Sequence, residues 1–168
     1  MTGHRLVLLR HAKSSWEDDL DDIERPLNAR GRRDAAAAGR WLAQHVGAPD
    51  LVLCSTAVRT RETWARVSAA GSDVLAVAPV RLVDAIYQAR PDTLLDQVQA
   101  IAEAARTALL VGHAPGLPDL AERLDAGAGP ARLGDFTTSA VAVFDLDRPW
   151  VEAGPGNASL TAFEVPRG

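Results

Sequence analysis

Two histidines close two short apolar runs, Leu6-Val7-Leu8-Leu9-Arg10-His11 and Ala108-Leu109-Leu110-Val111-Gly112-His113. Between them in sequence, Leu51-Val52-Leu53-Cys54 leads into Ser55-Thr56-Ala57-Val58-Arg59. A guanidinium is a planar fork of donors that matches phosphate oxygens, so Arg10 and Arg59 are natural clamps for a tetrahedral oxyanion. A neutral imidazole with a fixed tautomer is a competent nucleophile at the phosphorus so held. Donors around it would stabilise the charge spread over the equatorial oxygens in the transition state. The chemistry expected of His11, His113, Arg10 and Arg59 is therefore phosphoryl transfer to an imidazole, a scheme that calls for no metal ion and no organic cofactor.

These residues need a scaffold that brings separate strand tips together. Short β-branched and Leu-rich runs alternate with longer helical patterns, the signature of an α/β chain: a three-layer α/β/α sandwich with a mostly parallel central sheet. Strands are expected at 5–10, 51–54, somewhere within 74–82, and at 108–111, 139–146 and 159–165. Helices are expected from the Asn28 cap to about Val46, over 57–70, from Pro91 through Ile101, and after Pro115. The Gly/Ala/Pro stretch 126–134 reads as a loop. In open α/β sheets ligands bind beyond the carboxyl ends of the strands, which would put both imidazoles on one rim. Arg59 would then lie in the first turn of a helix, whose free backbone donors also attract anions.

Composition limits the alternatives. The 168 residues, 47% hydrophobic, fit one domain spanning 1–168, able to bury roughly two thirds of its unfolded surface. A net charge of −4 with both signs interspersed shows no basic face for nucleic acid or membrane. The apolar run Leu6 to Leu9 is too short for a signal-peptide core or a spanning helix, and cytoplasmic localisation is expected. Cys54 is the single cysteine, which excludes an internal disulfide and a cysteine-built zinc site. Oligomeric state is not legible.

At the level of whole motifs the chain resembles the histidine phosphatase superfamily, which includes the phosphoglycerate mutases, and within it the short SixA-type branch of protein phosphohistidine phosphatases. Arg10-His11 matches the Arg-His after the first strand; Ser55, Arg59 and Thr63 match a Ser-x-x-x-Arg-x-x-x-Thr element; Gly112-His113 matches the late Gly-His. Arg25-Pro26-Leu27-Asn28 with Gly31 and Ala35, and Phe136-Thr137-Thr138-Ser139-Ala140, agree as well. The resemblance implies a phosphoglycerate mutase-like fold and a phosphatase in which His11 is phosphorylated. It also implies that Arg10 and Arg59 clamp the phosphoryl oxygens, and that His113 donates to the group opposite the nucleophile. Two positions depart from the pattern: Ala12 replaces the usual Gly, and Gln88 lies where many relatives supply a glutamate as proton donor.

A phosphoramidate can dispense with that donor more readily than an alkyl ester, because the nitrogen leaving group departs as neutral imidazole. The expected substrate is accordingly phosphohistidine on a protein, with a small phosphomonoester as alternative and a non-catalytic phosphate-binding module as the reading from another class. Asp84 and the carboxylates of the Glu17 to Glu24 loop are the candidates for a general acid. That acidic loop could also disfavour small polyanions and welcome a basic protein surface. By default Ser55 and Thr63 are local capping hydroxyls, Lys13 a surface residue, and Arg61 and Arg66 solvated or paired with Glu62. Arg25 stays open between loop anchor and substrate contact. A cysteine-dependent phosphatase would need arginine after five intervening residues, where Cys54 is followed by Thr60. The four histidines, 4, 11, 45 and 113, lack metal-ligand spacing.

Overall fold

The computed structural model describes residues 3–17, 19–127 and 132–168. In chain order it forms β1 (His4–Arg10), α1 (Ala29–His45), β2 (Leu51–Ser55), α2 (Val58–Ala70), α3 (Ser72–Ala76), β3 (Val80–Val83), α4 (Pro91–Gln99), β4 (Thr107–Gly112), α5 (Gly116–Leu124), β5 (Val141–Leu146) and β6 (Ser159–Glu164). Three 3-10 turns add Asp22–Glu24, Asp84–Ile86 and Trp150–Glu152.

The strands make one six-stranded sheet in the order β3-β2-β4-β1-β5-β6. β1, β2, β3 and β4 run parallel, and β5 and β6 close one edge antiparallel. Residues alternate between faces along a strand, and a sheet covered on both sides is apolar at every position. β1 obeys this: Leu6 and Leu8 join Leu53, Leu110 and Phe144 in a core packed by Leu94 and Val98 of α4 and Leu117 and Leu120 of α5. Val7 and Leu9 join Val52, Leu109 and Val143 in the opposite core, packed by Ala35, Ala38 and Leu42 of α1 and by Trp64 and Val67 of α2. The expected three-layer α/β/α sandwich is thus the observed architecture.

Several boundaries differ for physical reasons. The β-branched stretch within 74–82 is mostly not strand: Leu75 turns inward as the buried residue of α3, and Pro79 separates that helix from β3, which pairs with Val52 to Ser55. β5 begins at Val141, two residues later than expected, because Ser139 has φ 68; a left-handed residue turns the chain rather than extending it. Ile101 lies beyond the end of α4 yet is buried in the same core. The last strand stops at Glu164. Within the 126–134 loop, residues 128–131 lie outside the described residues.

Two features bear directly on the rim. The loop from Ser14 to Leu27 is pinched shut at its base: those two residues form an antiparallel bridge, Ser15 N–H donates to Pro26 O (2.9 Å), and Asn28 N–H donates to Lys13 O (3.0 Å). Asn28 then caps α1, its side chain accepting from Gly31 N–H at 2.8 Å. Gly31 has to be glycine, since a Cβ there would sit 2.0 Å from Lys13 O. The helix can therefore press against the backbone that follows His11.

Candidate active site

Register places the first pair. Arg10 of β1 lies opposite Gly112 of β4, and His11 N–H donates to Gly112 O at 3.0 Å. Both strands end together, so His11 and His113 emerge side by side with ring centroids 5.3 Å apart and planes tilted by 53°. The two imidazoles thus share one rim, as expected.

The His11 tautomer follows from its neighbour. Nδ1 lies 2.8 Å from the Ala12 carbonyl, which can only accept, so Nδ1 carries the proton and Nε2 keeps its lone pair. Thr63 secures that carbonyl's residue by accepting from Ala12 N–H (2.9 Å) while donating to Arg59 O (2.6 Å). Its hydroxyl is thus local, as its default reading held, but it ties the backbone after His11 to α2. Burial pushes the His11 pKa down to about 4; the Ala12 hydrogen bond opposes this, and Arg59, Arg10 and Arg25 add to it. The imidazole is consequently neutral near pH 7.

Ser55, taken by default as a cap, performs a second task that sequence reasoning missed. It accepts from Ala57 N–H at 3.3 Å and lies 2.8 Å from His113 Nε2. The hydroxyl keeps a second lone pair, so this contact forms either with the Ser55 proton on Nε2, which leaves the His113 proton on Nδ1, or with Nε2–H donating to Ser55 Oγ. Nδ1 is buried and has no hydrogen-bond partner. Burial first, then the His11 ring and Arg59, press the His113 pKa down to about 3, with Asp22 opposing.

Arg10 and Arg59 show the same pattern. Arg10 NH1 donates to Phe136 O (2.9 Å) and its Nε is buried without an acceptor; burial lowers its pKa, and a guanidinium keeps its charge regardless. Arg59, on the first turn of α2, donates from NH1 to Asp22 O (2.7 Å) and from NH2 to Asp22 Oδ2 (3.0 Å), again leaving a buried Nε unpaired. Arg10, His11, Arg59 and His113 line one cavity of about 230 Å³, together with Lys13, Ser14, Trp16, Arg25, Gln88, Ala114 and Thr138. Buried polar nitrogens normally find partners, and Arg10, Arg59 and His113, all lining this cavity, each keep one without, which makes the cavity a candidate anion seat.

Arg25, left open by the sequence, is an anchor that also forms a wall of this cavity. It is buried and donates to Ser15 O, Ser14 Oγ and Asp22 Oδ1. Asp22 is the second residue that sequence reasoning undervalued, having counted it only as one of a run of carboxylates. Its carboxylate receives Arg25, Arg59, the Tyr87 hydroxyl at 2.6 Å and Gln88 Nε2 at 3.2 Å. The Tyr87 hydrogen bond, followed by those from Arg25 and Arg59, holds its pKa far below the usual carboxylate range. Asp22 is therefore anionic throughout the neutral range and orients the arginines instead of donating a proton. Asp84 is not among the cavity-lining residues, and Asp18 lies outside the described residues. Gln88 is on the wall, in the left-handed region at φ 49. Its turn is packed tightly, since a Cβ on Gly116 would lie 2.0 Å from Ala89 O.

Lys13 is exposed at the cavity mouth, and Glu62 accepts from Leu27 N–H at 2.7 Å. Cys54 is fully buried, with burial pushing its thiol up to about 12, which removes it as a nucleophile. Among the described residues no three His, Cys, Asp or Glu side chains cluster as metal ligands, and no helix is long and apolar enough to cross a membrane.

A phosphoglycerate mutase-like α/β/α sandwich with two histidines on its carboxyl rim defines a class, and sequence comparison agrees: the chain belongs to the histidine phosphatase superfamily, whose branch 1 model matches residues 6–85. An uncharacterized protein of Mycobacterium tuberculosis is 39% identical over 165 residues, covering 95% of this chain and all of that one. Among solved structures, a candidate phosphohistidine phosphatase SixA from Nakamurella multipartitia is 34% identical with a TM-score of 0.85, covering 98% of this chain and 96% of that one. A candidate of the same name from Agrobacterium tumefaciens is 29% identical with a TM-score of 0.79, over 97% and 98% of the two chains.

Proposed function

We propose that the chain is a single-domain, metal-independent phosphatase that hydrolyses phosphohistidine on a protein through a phosphohistidine intermediate on His11. The observation that carries this reading is that Arg10, Arg59 and His113 line the cavity that also holds His11, each with a buried nitrogen that has no hydrogen-bond partner. A phosphoryl group seated there would accept from the two guanidiniums and from the protonated nitrogen of the His113 ring. His11 Nε2 would attack phosphorus as the bond to the leaving nitrogen breaks, its electron pair departing with the substrate imidazole. Water would then attack the phosphorus, returning the electron pair of the Nε2–P bond to His11 and releasing inorganic phosphate. An incoming dianion would also raise the His113 pKa and strengthen its donation.

The leaving group is argued from what the wall offers. Asp22 is locked as an anion and Gln88 supplies an amide, so among the described residues no cavity carboxylic acid is placed to protonate an alkoxide. The likeness to the two SixA candidates supports the same substrate class. Turnover of a phosphohistidine peptide should exceed that of an alkyl phosphate by about 100-fold in kcat/KM, the scale of one general acid. Equal rates would favour a small-molecule phosphomonoesterase, and saturable phosphate binding without turnover would favour a binding module.

A further inference from the structure

The mouth of the cavity carries an aromatic surface that the chemistry above does not use. Trp16 lines the cavity, yet its side chain is 78% exposed. The other tryptophans are otherwise engaged: Trp64 and Trp150 are buried, and Trp41 stacks on His45 at 4.6 Å. Ile23, Val74, Val77, Val80, Leu82 and Val151 are also exposed, but none of them lines the cavity. Single exposed apolar residues are ordinary on a protein surface; one pinned at the entrance of an anion seat is not.

What pins it is Arg25. Its guanidinium carbon lies 3.4 Å from the centroid of the Trp16 ring, the geometry of a cation–π contact. Arg25 is itself fixed by three acceptors, Ser14 Oγ, Ser15 O and Asp22 Oδ1. One face of the indole therefore rests on a rigid cation while the other has no ring partner among the described residues. The cavity below, at about 230 Å³, is smaller than the several hundred Å³ of a typical small-molecule site. It can take a phosphoryl group, while most of whatever carries that group must rest on the rim.

We propose that Trp16 is the specificity-determining residue for the leaving group, its open face stacking on the imidazole ring that delivers the phosphoryl group. This rests on the phosphohistidine reading above and deepens it. A flat ring in offset contact with indole gains affinity that an aliphatic or ammonia leaving group cannot.

The test compares a phosphohistidine peptide with phosphoramidate, which has the same P–N bond but no ring. In Trp16→Ala the ratio of their kcat/KM values should fall about tenfold, chiefly through KM of the peptide, and Trp16→Phe should restore most of it. A ratio unchanged to within about twofold in a folded Trp16→Ala protein would overturn the proposal and leave the phosphohistidine reading intact. A wild-type protein that hydrolyses phosphoramidate but not the peptide would instead overturn that reading, and this proposal with it. Fluorescence supplies a readout independent of turnover: in a His11→Ala protein, bound phosphohistidine peptide should shield Trp16 from iodide quenching. Shielding that persists in a His11→Ala, Trp16→Phe protein would count against Trp16.

Discussion

The two ends of the sheet make an instructive contrast. At the amino end of β1, a cavity of about 570 Å³ is more than twice the size of the rim cavity and is lined by His4, Arg5, Arg106, Asp145, Asp147 and Arg148, among others. Its cations sit mostly beside carboxylates, although His4 Nε2 and Arg148 Nε are buried without a hydrogen bond. Arg5 holds Asp145 through two hydrogen bonds of 2.8 and 3.2 Å, Arg148 Nε lies 3.3 Å from Asp147, and His4 lies between the Arg148 carbonyl at 3.0 Å and Glu103 at 3.3 Å, packed on Trp150. At the carboxyl end the cavity is smaller, and Arg10, Arg59 and His113, which line it, each keep a buried nitrogen without a hydrogen-bond partner. Volume and unpartnered nitrogens do not separate the two ends; nearby countercharge does, since His4 Nε2 and Arg148 Nε each have a carboxylate at 3.3 Å while Arg10 forms no ion pair among the described residues. A region whose cations already face carboxylates has little charge left for an anionic ligand.

The sharpest way to break this contrast is to exchange the histidines' fates. His11→Ala should lower phosphatase turnover by about 10⁴-fold or more with the fold retained, as loss of a nucleophile does. His4→Ala should leave turnover unchanged and lower stability by about 1–3 kcal/mol, since it removes a buried ring and its hydrogen bond. Steady-state rates and denaturant midpoints on the same preparations would check both. The arginines come next: Arg59→Ala should cost about 10²- to 10³-fold in kcat, the scale of one transition-state donor.

A third difference concerns pH. The folded-state pKa values of His11 and His113, about 4 and about 3, lie below the ordinary value of 6.5. Below pH 6.5 the unfolded chain therefore binds more protons than the folded one, and stability falls as pH drops toward 4. His11 alone should contribute roughly 2–3 kcal/mol to that fall, so thermal midpoints of His11→Ala should depend less steeply on pH between 6.5 and 4. Wild-type kcat/KM should stay available to a neutral nucleophile until pH approaches 4 and then collapse.

Smaller again is the effect of restoring an acid. Gln88 sits 3.2 Å from Asp22, so a carboxyl in its place would be kept protonated by its anionic neighbour. Gln88→Glu should raise hydrolysis of an alkyl phosphate by about tenfold, measured as phosphate release. The smallest change expected is at the far end, where Arg5→Ala should cost about 1 kcal/mol or less and no activity, its pair with Asp145 being partly exposed.

How much of this was readable in the chain depended on sequence distance. Alternating faces of Leu6 to Leu9, the Asn28 cap and the two strand-end histidines are local patterns, and they located the layers and the rim. The offices of Ser55, Asp22 and Trp16 were not readable, because each is defined by a partner the fold brings in. Ser55 meets a histidine 58 positions later, Asp22 reaches Arg59 and Tyr87 across 37 and 65 positions, and Trp16 needs the loop base closed before Arg25 can cover it. The third strand occupies only the end of the stretch 74–82, since Leu75, buried against the core, belongs to α3.

The central claim is most directly tested by trapping the phosphoryl group on the protein. Enzyme quenched during turnover of ³²P-labelled phosphohistidine peptide should carry acid-labile, base-stable label, and peptide mapping should place it on the imidazole of residue 11. Turnover without such label, or label on another side chain, would contradict the account.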